Sequence, residues 1–218
     1  MLTISEIILN KIKSSPFLEQ MISEGLLNIS AFSRKIKPEI EKILMHPVSD
    51  SAVIMASKRL ADKIGKSVSE FHQASKNIND ITVKLNISEF TYKNSATLFD
   101  RESELLLKNR GNNSSFLTFT HGIYESTILI SSNLKNLLHT IFRDEILISS
   151  IKNLGAIILQ LPDNSYDYPG IYFDILKQLA WENINIIEVV STLNEFSIIL
   201  NQNNIDRAFS ILKSHLWD

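Results

Sequence analysis

The chain has 218 residues, of which 44% are hydrophobic and 21% charged, with a formal net charge of -2. Such a composition is that of a globular chain of one to three small domains, and no overall basic field advertises nucleic acid or membrane. Cysteine is absent, which excludes disulfide stapling, zinc-ribbon sites and thiol catalysis together. A reducing cytoplasm is the expected home. No apolar run approaches the roughly 20 residues needed to cross a bilayer.

Charge is distributed unevenly: Met1 to Ser75 carries ten Lys/Arg against eight Asp/Glu, whereas Ile151 to Asp218 carries four against eight. The opening "MLTISEIILNKIK" has Glu6 inside its apolar run and no small-residue cleavage site, so it reads as a helix and not a leader. Residues 1–75 as a whole read as a helical head. Ile29, Phe32, Ile36, Ile40, Ile43 and Leu44 recur at three- and four-residue intervals, with Ser30 as the expected N-cap and Pro38 expected to kink the helix or start a second one. The following helix is capped by Ser49 or Asp50, buries Val53, Ala56, Leu60 and Ile64, and is expected to stop at Gly65.

From about Asn79 the period changes. "ITVKLNISEFTYK" alternates as a strand, "TLFDRESELLLKN" is a short charged helix, and "FLTFTHGIYESTILIS" is two strands about a His121-Gly122 turn. "NLKNLLHTIF" follows as an amphipathic helix. The order then repeats: "GAIILQL" is a strand, "PDNSYDYPG" a loop, Ile171 to Glu182 a helix, "INIIEVVS" and "EFSIIL" two strands, and a last helix spaces Ile205, Ala208, Phe209, Leu212 and Leu216. The fold class is therefore α+β: a helix-turn-helix-like head over 1–75, a degenerate βαββα unit over 79–150 and a second over 151–218. The second unit lacks a fourth strand of its own, which Ile81 to Tyr92 or Glu145 to Ser150 can supply.

The last third, "LGAIILQLPD", "YPGIYFDILKQLAWENINIIEVVST" and "LNEFSIILNQNNIDRAFSILKSHL", resembles an ACT domain, specifically the regulatory ACT domains at the carboxyl end of aspartate kinases. The first unit resembles the same ferredoxin-like fold more loosely. The six glycines are scattered and build no phosphate-cradling loop, and only about 75 helical residues precede the sheet region. The resemblance therefore implies a regulatory module without kinase catalysis. It also implies a homodimer through the ACT units and an amino-acid effector. Asp163, Asn164, Tyr168, Pro169, Gly170 and Ile171 would offer the loop and helix start to that effector, with Asn185, Ile186, Glu188, Ser191 and Thr192 across from them. The alternative is that Glu188 sits on a wet sheet edge and Ser191-Thr192 merely ends a strand.

The head admits two readings. As a helix-turn-helix it would present Arg34, Lys35, Lys37, Lys58, Arg59, Lys63 and Lys66 to DNA phosphates. As a dimerisation or docking module the same charges are a solvated face. His46, His72, His121, His139 and His215 are too dispersed for a metal site, and His121 and His215 read as structural or surface groups. "DRESE", Asp100 to Glu104, reads as a solvated helix face, and Trp181 and Trp217 as packing residues at helix ends. No cofactor is implied. The functional expectation is a non-catalytic regulator that senses an amino acid and acts on DNA, or alternatively a subunit regulating an amino-acid biosynthetic enzyme in trans.

Overall fold

The computed structural model describes residues 2–75, 78–112, 115–163, 165–168 and 170–217, with the side chains of Pro16 and of 65–75 outside that description. Two compact units result: Met1–Ser75 together with Tyr168–Gly170, and Lys76–Asp167 together with Ile171–Asp218.

The helical unit begins with α1 (Ile4–Lys13), which Thr3 and Glu6 close as a reciprocal capping box. The backbone N–H of Thr3 donates to Glu6 Oε2 at 2.7 Å, and the bonds from Thr3 hold the Glu6 carboxyl below its ordinary range. α2 (Pro16–Ser23) follows, then α3 (Ile29–Leu44) and α4 (Asp50–Ser75). Two sequence expectations are corrected, and for Pro38 one of two alternatives is removed. Asn28, not Ser30, caps α3, its side chain accepting from the Ala31 N–H at 3.0 Å. Pro38 lies inside a single helix and does not start a second one, and α4 runs through Gly65 to Ser75. A mid-helix glycine costs only about 1 kcal/mol, too little to stop a helix whose apolar stripe is already docked. Val53, Ala56 and Ile64 of that stripe are buried, as are Ile8, Ile12, Phe32, Ile36 and Ile40 from the other helices. Ser49 Oγ accepts from the Ala52 N–H, and Lys37 Nζ reaches Asp50 Oδ1 at 2.5 Å, joining α3 to the first turn of α4.

The second unit contains β1 (Asp80–Lys93), α5 (Leu98–Lys108), β2 (Leu117–His121), β3 (Glu125–Ser131), α6 (Lys135–Ile141) and β4 (Leu147–Gln160), followed by α7 (Ile171–Trp181), β5 (Ile186–Ser191), β6 (Glu195–Asn201) and α8 (Ile205–Trp217). All six strands form one antiparallel sheet in the order β2-β3-β1-β4-β6-β5. Glu145 to Ser150 and Gly155 to Leu161, read separately in the sequence, belong largely to one strand. β4 therefore runs straight across the expected boundary at 150/151.

The two long strands explain how each βαββα unit is completed. Ile87 to Lys93 of β1 pair with β3, while Asp80 to Lys84 pair with the carboxyl half of β4 and stand as the missing fourth strand of the second unit. Reciprocally, Leu147 to Ile151 stand beside β1 as the fourth strand of the first. The register is pseudo-symmetric about the pair Ile87–Leu154, with a bulge on either side. Asn86 (φ 58°) and Asn153 (φ 60°) occupy those bulges in the left-handed region, which a short polar side chain tolerates.

Helices cover one face. Phe90, Tyr92, Ile128 and Ile130 pack under α5 and α6, and Ile157, Leu159, Phe196, Ile198 and Leu200 under α7 and α8. The helix-free face carries its own apolar cluster, Ile87, Leu129, Leu154, Ala156 and Ile199, flanked by Phe116 and Val190. The bulges add local twist, and Thr120 of the edge strand β2 and Glu188 of the edge strand β5 lie on this face.

Candidate functional site

The polar residue that looked out of place in an apolar strand, Glu188, lies on the helix-free face opposite Ile199. Burial lifts its carboxyl above the ordinary value, partly offset by the Thr120 hydroxyl. Glu89 of β1, set between Leu129 of β3 and Ile151 of β4, shares that face. It is 9% exposed, and both burial and the nearby Glu188 charge push its carboxyl up. Glu89 Oε2 and Thr118 Oγ1 are both shut off from solvent without a hydrogen-bond partner. Glu188 itself is only half-buried, on the edge strand β5.

The other expected effector residues divide by position. Asp163, Ser191 and Thr192 lie at the same end of the sheet, where Leu161 N–H donates to Asn194 O and Asn194 Nδ2 donates to Asp163 Oδ1 at 2.7 Å. Asn185 and Ile186 lie at the opposite end of β5. With about 3.3 Å of rise per residue, the strand separates Asn185 from Thr192 by roughly 20 Å, so the two do not face one small ligand within one unit. Ile171 starts α7 and is buried in its core. Asn164 and Pro169 lie outside the described residues, and Tyr168 and Gly170 belong to the helical unit. Gly170 has φ 91°, so any side chain there strains the backbone whatever it does to a ligand.

In the first βαββα unit the structure assembles a network that the sequence did not announce. His121 Nε2 lies 2.8 Å from Glu102 Oε2, and His121 Nδ1 lies 2.8 Å from Ser126 Oγ. The Ser126 hydroxyl donates to Asn94 Oδ1 at 2.6 Å, and Asn94 Nδ2 donates to Gly122 O at 2.9 Å. With its proton committed to Asn94, Ser126 accepts from an Nδ1–H, which leaves one proton to be shared between His121 Nε2 and Glu102. Phe99 stacks on the imidazole at a centroid distance of 4.5 Å. Glu102 is thus buried, not part of a solvated face, and burial raises its carboxyl, with His121 pulling the other way. Its place was legible: Leu98, Glu102 and Leu105 recur at helical spacing, and all three are buried. Ser126 is 1% exposed, so the Ser–His–Glu geometry offers no accessible nucleophile.

A second buried ionic group joins α7 to α8. Asp174 Oδ1 meets Lys177 Nζ at 2.6 Å and Asp174 Oδ2 meets His215 Nε2 at 3.0 Å. His215 is structural, as its place at a helix end suggested. Trp181 and Trp217 end α7 and α8, and Trp217 Nε1 donates to Ile78 O.

Among the basic residues of the head, Arg34 and Lys35 on α3 and Lys58, Arg59 and Lys63 on α4 are exposed. Lys37 is half-buried and engaged with Asp50 and Glu41. The Lys66 side chain lies outside the description. Among the described residues no helix is long and apolar enough to cross a membrane, and no group of three or more His, Cys, Asp and Glu is placed to hold a metal ion.

The exchanged pair of βαββα units on one sheet defines the class of fold, a tandem of ACT-like βαββα units preceded by a helical head. Solved structures carry the same fold. The ligand-free regulatory subunit of aspartate kinase from Thermus thermophilus matches with a TM-score of 0.52 at 8% identity, covering 63% of this chain and 97% of that one. The regulatory subunit of aspartate kinase from Thermus flavus matches at 0.51 and 7% identity, with the same coverage. The aspartate kinase of Clostridium acetobutylicum, described as an allosteric enzyme, matches at 0.53 and 13% identity over 64% of this chain and 34% of that one. No protein-family model matches the sequence, and no curated protein matches it.

Proposed function

We propose that this protein is a non-catalytic cytoplasmic regulator that binds an amino-acid effector through its ACT region and acts on DNA through its helical head. The observation that supports the reading best is the exchanged sheet, a fold shared with a regulatory subunit of aspartate kinase and with part of an aspartate kinase described as an allosteric enzyme. Because β1 and β4 each belong to both βαββα units, a ligand favouring one arrangement of either unit biases the whole sheet, which is a population shift in the thermodynamic sense. The effector surface comprises the loop after β4 with Asp163, the turn with Ser191 and Thr192, and the start of α7, whose backbone N–H groups suit a carboxylate, while Glu188 stands on the other face of β5. The separation of Asn185 from this end favours a site shared between copies in a homodimer. Arg34, Lys35, Lys58, Arg59 and Lys63 form the DNA-facing set.

A second reading has its own support: a free-standing regulatory subunit of aspartate kinase has the same fold. On that reading the head docks on an amino-acid biosynthetic enzyme and the protein acts in trans.

A thermal-shift screen against the twenty amino acids tests the effector. A ligand at 100 times its dissociation constant stabilises by about 2.7 kcal/mol, an easily measured shift. One strong hit, lost in Thr192→Val, supports the site, and a flat screen refutes it. Salt-dependent DNA binding weakened by Lys58→Ala with Arg59→Ala supports the first reading over the second.

A further inference from the structure

The hydrogen bonds around His121 fix where each proton lies. Asn94 Nδ2 donates to Gly122 O at 2.9 Å, and a carbonyl only accepts, so Asn94 Oδ1 is the atom that faces Ser126. The Ser126 hydroxyl gives its single proton to that oxygen at 2.6 Å. His121 Nδ1, 2.8 Å from Ser126 Oγ, is then the N–H side of the ring. His121 Nε2 and Glu102 Oε2, 2.8 Å apart, hold one further proton between them. Other charged groups near the ring are engaged elsewhere. On α5, Asp100 is exposed to solvent, Arg101 lies 3.9 Å from each of Glu104, Asp144 and Glu145, and Glu104 meets Lys108. On the paired strands Lys93 and Glu125 stand opposite each other on the other face of the sheet. Tyr92 shares the ring's face, with its phenol pushed up to about 12 by burial, and His139 of α6 meets Phe90.

Loss of the shared proton is not absorbed within the pair. It leaves the Nε2 lone pair against a carboxylate oxygen in a buried place, where two facing acceptors are costly. The ring relieves this by carrying its remaining proton on Nε2, which donates to Glu102. Nδ1 is then an acceptor, and the Ser126 hydroxyl turns from Asn94 to the ring. Asn94 Oδ1 loses its donor, and because Asn94 is exposed, water takes that place. The residue set free is the one that holds the β2–β3 turn, through Asn94 Nδ2 to Gly122 O and Asn94 N–H to Tyr124 O at 3.2 Å. Ile123 and Tyr124 in that turn are 87% and 83% exposed.

We infer that the His121–Glu102 pair is a proton switch for the β2–β3 turn: with the shared proton bound, Ser126 pins Asn94 and the turn to the end of β1, and when the proton leaves, the Ser126 hydroxyl reverses and releases them. The pinned form holds one proton more than the released form, so it is favoured as pH falls and given up as pH rises. A second proton added to the pair at low pH leaves Nδ1–H in place and does not disturb the pin. The burial that raises the Glu102 carboxyl acts in the same direction. The switch uses no residue of the effector surface and none of the DNA-facing set, and it goes beyond the proposed function.

Nitrogen NMR of the labelled full chain over about pH 5 to 9 reads which ring nitrogen of His121 carries the proton, and amide exchange, corrected for its intrinsic pH dependence, reads the turn. As pH rises, the proton is expected to move from Nδ1 to Nε2. With the same midpoint, protection of the Asn94 N–H and of the Gly122 N–H, which donates to Glu125 O at 2.8 Å, is expected to fall roughly two- to tenfold, the worth of one hydrogen bond. In Glu102→Gln the amide donates to Nε2 at every pH, so both changes are expected to disappear. Asn94→Ala alters an exposed side chain and keeps the fold. It is expected to hold the Gly122 N–H at low protection throughout while the ring still moves its proton. A ring that keeps its proton on Nδ1 over the whole range overturns the inference, as does a turn whose protection ignores the change in the ring. A fall in protection as large in Asn94→Ala as in the parent chain overturns it too.

Discussion

Replacing Gly155 by alanine probes the joint on which the exchanged sheet depends. Gly155 lies in β4 next to the Ile87–Leu154 pair, and a Cβ built on it would stand 2.6 Å from Ile205 Cγ1, 2.7 Å from Ile205 Cδ1 and 3.3 Å from Lys84 O. Ile205 is 2% exposed and opens α8, so its side chain has nowhere free to turn. Overpacking of this kind costs about 1–3 kcal/mol, which for a chain of this size lowers the thermal midpoint by roughly 2–4 °C per kcal/mol. Ile205→Ala by itself leaves a cavity costing roughly 2–5 kcal/mol. In the double variant the methyl group added at position 155 enters that space and the clash disappears. The double variant is therefore expected to fall short of the sum of the two by about 1–3 kcal/mol. Urea unfolding of the four proteins measures the cycle. A silent Gly155→Ala, or a double variant that is simply additive, would refute the claim that β4 and α8 touch at this glycine.

Three further outcomes are expected. Glu102→Gln should flatten the pH dependence of stability above the ordinary carboxylate range, read by denaturant midpoints: burial lifts this carboxyl above its unfolded value, so its stabilising contribution is full below the unfolded value and is lost as pH rises through the folded one. A slope unchanged by the substitution would remove Glu102 as its source. Lys177→Met should destabilise by about 1–3 kcal/mol, since it removes one of the partners of buried Asp174 and leaves His215 in place, whereas Asp174→Leu with Lys177→Met should recover much of the loss in the same unfolding assay. Asn153→Ala should cost roughly 1–2 kcal/mol because of the left-handed backbone there, while Asn153→Gly should be tolerated, both read as shifts in thermal midpoint.

Most of the element order was legible because it rests on local periodicity. The alternation of β1, the helical spacing of α5 and α8, and the His121-Gly122 turn are short-range signals, each needing only a dozen neighbouring residues. The resemblance of the last third to an ACT domain rested on the same signals, together with the loop before α7. Where short-range signals are weak the reading departed from the structure. Gly65 and Pro38 resemble stops, yet the docked apolar faces of α3 and α4 outweigh a local penalty of about 1 kcal/mol for glycine and a larger one for proline.

Which segments are helices and which are strands, and the placing of a helical head before two βαββα repeats, follow from local pattern, because amphipathic periods of 3.6 and 2 are properties of neighbouring residues. It took the folded chain to show that Asn86 and Asn153 carry two strands through bulges, so that each repeat borrows its fourth strand from the other. The same holds for the meeting of Glu102 with His121 and Ser126, and for the one buried face that Glu89 and Glu188 share from distant parts of the chain. Contacts of that kind depend on sheet order and curvature, which are set by pairing between distant strands and leave no trace in any single stretch of sequence.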